Sequence, residues 1–149
     1  MKLEEEIKQR KFRNEFHKLA VNIIYTHSWL MNYHKKIFDK FDITSNQFNI
    51  LRILRGQYPK PASINLLKER MLDKMSDASR LVDRLLKKGL VERKISSEDR
   101  RKVDVIITKK GLKLLSQIDE LNSEFDRVFK NINKQEAQIL NDLLDKMRG

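Results

Sequence analysis

The chain has 149 residues, the size of one ordinary domain, and 40% of them are apolar while 36% are charged. This composition excludes a disordered or low-complexity protein, and the absence of cysteine excludes disulfide scaffolds, thiol catalysis and cysteine-based zinc sites. No apolar stretch approaches the roughly 18 residues that a membrane helix needs, and the first residues lack the apolar segment of a secretory signal. The sequence therefore predicts a soluble, cytoplasmic chain without a membrane partner.

The net charge of +11 is concentrated in the middle of the chain. Residues 44–111 carry +9, whereas residues 1–43 carry +3 and residues 112–149 carry −1. A basic segment between near-neutral flanks is typical of a module that binds a polyanion. A solvated basic surface that binds nothing is the alternative, and charge alone does not separate the two.

Residues 3–38 are predicted to form one long helix. Apolar residues recur there with a period close to 3.6, from Phe12 and Phe16 to Ile37 and Phe38, and no Gly or Pro interrupts them. At about 1.5 Å per residue this helix would be roughly 50 Å long, more than the width of a domain of this size. A partner chain is the natural cover for the part that overhangs.

Three shorter helices and a β-hairpin are predicted next. The helices span residues 45–57, 63–71 and 75–88, and Gly89 is the expected C-cap of the third. The strands span residues 90–95 and 102–107, and a polar loop joins them. Further helices are predicted over residues 108–129 and 133–147.

This order of elements is the layout of a winged helix-turn-helix, in which two tightly joined short helices precede a two-stranded ribbon. The predicted fold class is mainly α with a small β-hairpin wing (α+β), flanked by long N- and C-terminal helices.

The helix over residues 75–88 is a candidate recognition helix. One face is apolar and can be buried: Met75, Ala78, Leu81, Val82, Leu85 and Leu86. The other face is polar: Ser76, Asp77, Ser79, Arg80, Asp83, Arg84 and Lys87. Arg80 matches the O6 and N7 acceptors of guanine, and Asp83, three residues later, is expected to hold its guanidinium in place. The alternative is a solvent-facing amphipathic helix with ordinary ion pairs.

The loop of the hairpin carries Asp99, Arg100 and Arg101 at its tip. An arginine on a narrow protrusion suits an A·T-rich minor groove, where the negative potential is strongest. Asp99 would repel phosphate, so we expect it to orient one of the two arginines. A solvated turn is the alternative.

Three spaced motifs resemble the multiple-antibiotic-resistance-regulator (MarR) family. They are SRLVDRLLKKGLVER at residues 79–93, EDRRK at residues 98–102 and ITKKG at residues 107–111. The resemblance implies a homodimeric bacterial transcription regulator with a dimerisation helix in residues 1–43, a DNA-binding winged helix-turn-helix in residues 44–111 and further dimerisation helices in residues 112–149. One departure is that the residues before the recognition helix, MLDKM, lack the family's usual Gly-Val/Ile-Ser turn.

Enzymatic functions have no support in the sequence. It contains no Gly-x-Ser-x-Gly elbow, no glycine-rich phosphate loop and no His-Glu-x-x-His motif. The three histidines, His17, His27 and His34, all fall on the first predicted helix, and the last two are about 10.5 Å apart along its axis, too far for one metal ion. We therefore predict no catalytic residue, no cofactor and no metal site.

The resulting prediction is a repressor that binds a palindromic, inverted-repeat operator in double-stranded DNA as a homodimer. The expected DNA-binding residues are Ser76, Asp77, Ser79, Arg80, Arg84, Lys87, Arg100 and Arg101. A non-specific nucleoid-type DNA-binding protein is the main alternative, since it would share the basic charge. A winged-helix protein-interaction module is a third, although such a module needs an exposed apolar face.

The resemblance also implies a small, commonly aromatic effector that binds between the dimer helices and the winged domain. Candidate lining residues are Tyr25, His27, Trp29, Tyr33, His34, Phe48 and Leu51. Aromatic walls would supply contact area, and phenolic or imidazole groups would supply a few directed hydrogen bonds. The alternative is that these residues are ordinary buried core.

Overall fold

The computed structural model describes residues 1–149, and its internal contacts divide the chain into two units, Met1–Ser45 and Asn46–Gly149. No helix in either unit is long and apolar enough to cross a membrane.

The first unit contains two α-helices and a short 3₁₀ turn. They are α1 (Leu3–Glu6), α2 (Glu15–Phe38) and the turn Asp39–Phe41. The prediction of one helix over residues 3–38 is wrong, because the chain leaves helical geometry between Ile7 and Asn14. Asn14 starts α2 as its N-cap, with its side-chain oxygen accepting from the backbone N–H of His17 at 2.9 Å. The apolar periodicity continues through the break, but the N-cap at Asn14 determines where α2 begins.

Side chains join α1 to α2 across this break. Lys18 forms an ion pair with Glu4, which lowers the pKa of Glu4. The hydroxyl of Tyr25 donates to the Glu6 carboxylate at 2.6 Å, and this bond raises the pKa of Tyr25.

Three helices follow: α3 (Ser45–Gln57), whose first residue is the last of the first unit, and α4 (Ile64–Arg70) and α5 (Ala78–Lys87) in the second unit. Ser63 caps α4 by accepting from the backbone N–H of Leu66 at 3.1 Å. Gly89 follows α5 with φ +72°, the left-handed geometry in which glycine costs least. The predicted start of the third helix at Met75 is wrong, since α5 begins three residues later and Met75 is exposed rather than part of the apolar face.

The sheet has three antiparallel strands in the order β1-β3-β2: β1 (Ala62–Ser63), β2 (Val91–Ile95) and β3 (Val103–Ile107). The predicted hairpin is confirmed, and its register pairs Val91 with Ile107 and Ile95 with Val103. The two-residue strand β1, which pairs Ala62 with Val105, was not predicted because two residues are too few to show a period.

Three helices end the chain: α6 (Lys109–Asp119), α7 (Asn122–Arg127) and α8 (Lys134–Arg148). The predicted single helix over residues 108–129 is wrong, because the backbone turns at Glu120 and Leu121, where no Gly or Pro marks the break. The last helix is confirmed, and Asn133 and Glu136 form a reciprocal capping box at its start.

The core of the second unit lies between α3, α4, α5, α6 and the sheet. Its fully buried side chains come from each of these elements: Ile50, Leu51, Leu54, Leu67, Val82, Leu85, Val91, Val105, Leu115 and Ile118. The fold class is therefore confirmed as mainly helical with a small antiparallel wing.

Candidate nucleic-acid interface

Helix α5 presents a polar face because its apolar side chains are used in the core. Ala78, Val82 and Leu85 are buried. The exposed residues are Ser79, Arg80, Asp83, Arg84 and Lys87. The predicted outward positions within α5 are thus confirmed as exposed, and a helix of this kind fits the width of a major groove.

Asp77 and Ser76 lie before α5 and have structural partners. Asp77 is the N-cap, and its carboxylate accepts from the backbone N–H of Arg80 at 3.2 Å. The hydroxyl of Ser76 donates to Asp73 at 2.7 Å and accepts from the side-chain amide of Asn46 at 2.8 Å. Both side chains therefore shape the entry into α5.

The expected pairing of Asp83 with Arg80 is wrong. Asp83 forms an ion pair with Arg93 of β2 instead, because α5 packs against that strand and brings the two side chains together. The guanidinium groups of Arg80 and Arg84 consequently form no ion pair and are exposed. Cations on a groove-sized helix without a protein counter-ion are available to phosphates and base edges.

The wing tip has the geometry that the sequence predicts for Asp99. Its carboxylate accepts from the backbone N–H of Arg101 at 3.0 Å and from the Nε of the same side chain at 3.2 Å. Ser96 is buried at the base of the loop, where its hydroxyl accepts from the N–H of Glu98 at 3.3 Å and of Asp99 at 3.4 Å. Arg100 is exposed and has no ion pair.

Sequence reasoning missed Asn46, Asn49 and Asp73, which connect α3 to the segment before α5. Besides the Asn46–Ser76 bond, the Asn49 side chain accepts from the backbone N–H of Leu72 at 2.9 Å. Polar residues on an otherwise apolar helix could have signalled such a role, but their partners are 23 to 30 residues away in sequence.

Among the candidate effector residues, Tyr25, Trp29 and Tyr33 line one open cavity of about 230 Å³ on α2. Ser28, Asn32 and Lys36 complete its lining. His27 is exposed outside this lining. His34 packs edge-on against the rings of Tyr33 at 6.5 Å and Phe38 at 6.1 Å, and its burial lowers its pKa.

The remaining two candidates belong to the second unit. Phe48 stacks on Phe125 with ring centroids 6.3 Å apart, and the guanidinium of Arg52 lies 5.7 Å from the Phe48 ring. Leu51 is fully buried. Phe48 and Leu51 therefore have packing roles within their own unit.

Known proteins share this architecture. The model of the MarR family matches residues 43–103. The transcriptional repressor IacR of Pseudomonas putida is 29% identical over 78% of this chain and 74% of its own length. A cysteine-to-serine mutant of MarR from Escherichia coli, solved with operator DNA, has a TM-score of 0.81 and 26% identity over 93% of this chain and 99% of that chain. A MarR-like regulator from Bacillus cereus has a TM-score of 0.79 and 27% identity over 90% and 96% of the two chains.

These relatives are transcription regulators rather than enzymes, and the two solved structures share the fold over at least 90% of this chain. Residues 43–103 match the MarR family, and the chain is similar to MarR-type winged helix-turn-helix transcription regulators over most of its length.

Proposed function

We propose that the protein is a repressor that binds an inverted-repeat operator as a homodimer, with α5 in the major groove and the wing in the minor groove. The observation that carries this proposal is that Arg80 and Arg84 on α5 are exposed and form no ion pair. They lie in the same unit as the exposed Arg100 at the wing tip. Ser79 and Lys87 complete the polar face, and Asp77 and Ser76 hold its start in place. The relative from Pseudomonas putida is a repressor, which favours repression here.

A binding experiment separates specific recognition from a nucleoid-type function. Duplexes selected by the protein from a randomised pool are compared with unselected duplexes by fluorescence anisotropy at one salt concentration. We expect at least about 1000-fold tighter binding to a selected inverted repeat, because base contacts add to the phosphate contacts that all sequences share. Equal binding to both sets would instead support the non-specific alternative.

Homodimerisation is supported by apolar side chains that the single chain leaves in solvent. Helix α8 has no buried residue, and its exposed apolar residues are Ile139, Leu140, Leu143 and Met147. Helix α2 leaves Phe16, Leu19 and Ile24 exposed. Faces of this kind on a regular helix are typical of an interface between subunits.

The cavity on α2 supports an aromatic carboxylate as effector. Tyr25, Trp29 and Tyr33 would contact the ring, and the exposed ammonium of Lys36 would attract the carboxylate. Binding would release DNA if the ligand favoured a dimer geometry that two major grooves cannot accept.

The single tryptophan of the chain makes this testable, because Trp29 lies in the cavity lining. We expect salicylate to quench Trp29 fluorescence and to weaken operator binding over the same concentration range. Lys36→Gln should reduce both effects, whereas Lys35→Gln, at a lysine that pairs with Asp39, should not. If a panel of aromatic acids at millimolar concentration neither quenches Trp29 fluorescence nor weakens operator binding, the cavity is not an effector site.

A further inference from the structure

The segment between α4 and α5 is a rigid turn with an apolar tip. Met71 anchors it in the core, and its backbone N–H continues the pattern of α4 by donating to Leu67 at 2.9 Å. Asp73 then organises the turn by accepting from the backbone N–H of Met75 at 3.0 Å and from the Ser76 hydroxyl at 2.7 Å.

Helix α3 holds this turn from a second side. The Asn46 amide donates to Ser76 at 2.8 Å and to Asp73 at 3.3 Å, and the Asn49 side chain accepts from the N–H of Leu72 at 2.9 Å. The turn is therefore held to α3 through the Leu72 backbone and the side chains of Asp73 and Ser76, on either side of Met75.

The lysine of the turn is directed toward the end of α4. The ammonium of Lys74 donates to the carbonyl oxygens of Lys68, at 3.3 Å, and of Glu69, near the end of α4. Besides Asp73 and Lys74, whose polar groups form hydrogen bonds within the protein, the turn exposes two apolar side chains: Met75 is 94% exposed and Leu72 is 86% exposed.

The turn and the arginines of α5 share one surface. An open cavity of about 180 Å³ is lined by residues of the turn, of α5 and of α3: Asn46, Ser76, Asp77, Arg80, Leu81 and Arg84. Met75 directly precedes two of these residues. A duplex that contacts Arg80 is therefore brought to the N-terminal end of α5, close in sequence to the exposed Met75.

We propose that Met75 is a specificity-determining residue that contacts the C5-methyl group of a thymine in each operator half-site. The proposal rests on the proposed DNA-binding function. The thymine methyl is the apolar group that the major groove offers, and an unbranched thioether side chain can cover it without a hydrogen bond. A fully exposed methionine on a turn held by the hydrogen bonds of Asn46, Asn49 and Asp73 gains apolar contact there at little conformational cost in the backbone.

The experiment removes the methyl group from the DNA and the side chain from the protein, separately and together. Each thymine of a duplex selected by the wild-type protein is replaced in turn by deoxyuridine, and the Kd is measured by anisotropy at fixed salt. We expect one thymine per half-site whose replacement weakens wild-type binding about fourfold, the factor that corresponds to burying one methyl-sized group. Because a homodimer carries two copies of the side chain, Met75→Ala should weaken binding to the unmodified duplex by about the square of that factor, roughly 16-fold. Binding by this variant should not change when deoxyuridine replaces the thymine at that position.

Leu72→Ala is the matched control, since it shortens the other exposed apolar side chain of the same turn and should keep the wild-type sensitivity to deoxyuridine. The proposal is overturned if the wild type ignores every replaced thymine, if Met75→Ala stays as sensitive as the wild type, or if Leu72→Ala loses the sensitivity too. If no replacement changes the Kd of the wild-type protein, the exposed Met75 and Leu72 would instead be candidates for contact with a protein partner. Failure of the proposed function is distinct, because no preferred duplex would then emerge from the selection.

Discussion

The acidic residues near α5 each have a local structural partner, and this leaves the arginines of the helix unneutralised. Asp77 caps the helix, Asp73 organises the preceding turn and Asp83 pairs with Arg93. A pairing between Asp83 and Arg80 would have reduced the positive potential on the face that we assign to DNA.

Arg80→Ala tests the assignment of that face. We expect it to weaken operator binding by about 1–3 kcal/mol per half-site and to relax the preference at one base pair in each, as for the loss of a bidentate contact to guanine. Arg13→Ala, which removes the same charge from an exposed residue of the first unit, is the control and should keep the preference. An unchanged sequence preference in Arg80→Ala would show that a different face reads the bases.

His34 makes the stability of the fold depend on pH. Burial lowers its pKa, so the unfolded chain binds a proton at a higher pH than the folded chain does. The free energy of unfolding should therefore fall as the pH drops below about 6.5, the ordinary histidine value, and should be insensitive to this group at higher pH. Urea unfolding across this range should show a smaller fall in His34→Gln, whereas the same change at the exposed His27 should leave the fall intact.

At the scale of elements, the ITKKG motif joins the recognition helix, the sheet and α6. Thr108 caps α6 by accepting from the N–H of Gly111 at 3.1 Å, and its hydroxyl donates to the carbonyl of Gly89 at 2.8 Å, just after α5. A Cβ on Gly111 would lie 2.5 Å from the Leu90 carbonyl oxygen and 2.6 Å from Ile107 Cγ1. The glycine therefore permits the close approach of α6 to the sheet.

Gly111→Ala should destabilise the protein by about 1–3 kcal/mol, because a backbone oxygen and a buried side chain must both move. Gly56→Ala is the matched control, since that glycine is also helical and has no atom within 4 Å of its added Cβ. There we expect a gain of up to about 1 kcal/mol from helix propensity. Equal midpoints of chemical unfolding for the two variants would contradict the close approach.

The wing should contribute affinity more than sequence preference. Arg100→Ala and Arg101→Ala are expected to weaken binding by similar factors on all selected duplexes that share an A·T-rich flank, since minor-groove readout is degenerate. Competition assays with operators that differ only in the half-site sequence can check this. A changed half-site preference in either variant would place the wing in a base-reading role.

At the scale of the whole molecule, the apolar face of α8 predicts an obligate two-fold assembly. We expect sedimentation at micromolar concentration to give a particle of twice the 17.8 kDa chain mass. Leu143→Glu should produce monomers that keep their helical circular dichroism, because the residue is exposed in the single chain. The control Gln138→Glu adds the same charge on the opposite face of α8 and should remain dimeric. A wild-type particle of single-chain mass would contradict the assembly.

Local signals in the sequence were sufficient for most elements and for the resemblance to the MarR family. The predicted bounds of α3, α4, α8, β2 and β3 each agree with the structure to within one residue. The motifs within residues 79–111 indicated the MarR family because recognition helix, wing and following helix leave short, contiguous patterns. The exposed face of α5 followed from the same periodicity, since the positions of its buried residues fix which side chains face outward.

The tertiary structure alone decided what depends on pairs of residues that are distant in sequence. Helix α5 starts at Ala78 because Asn46 and Asp73 hold the preceding residues in a turn. Asp83 forms its ion pair with Arg93 of β2 rather than with Arg80, which is closer in sequence. The two residues of β1 form a strand only because their backbone pairs with that of β3. Helices and hairpins are determined mainly by residues a few positions apart in the chain. The hydrogen bonds that hold the turn, the Asp83–Arg93 ion pair and the two-residue strand depend on contacts between distant residues, which form only once the chain has packed.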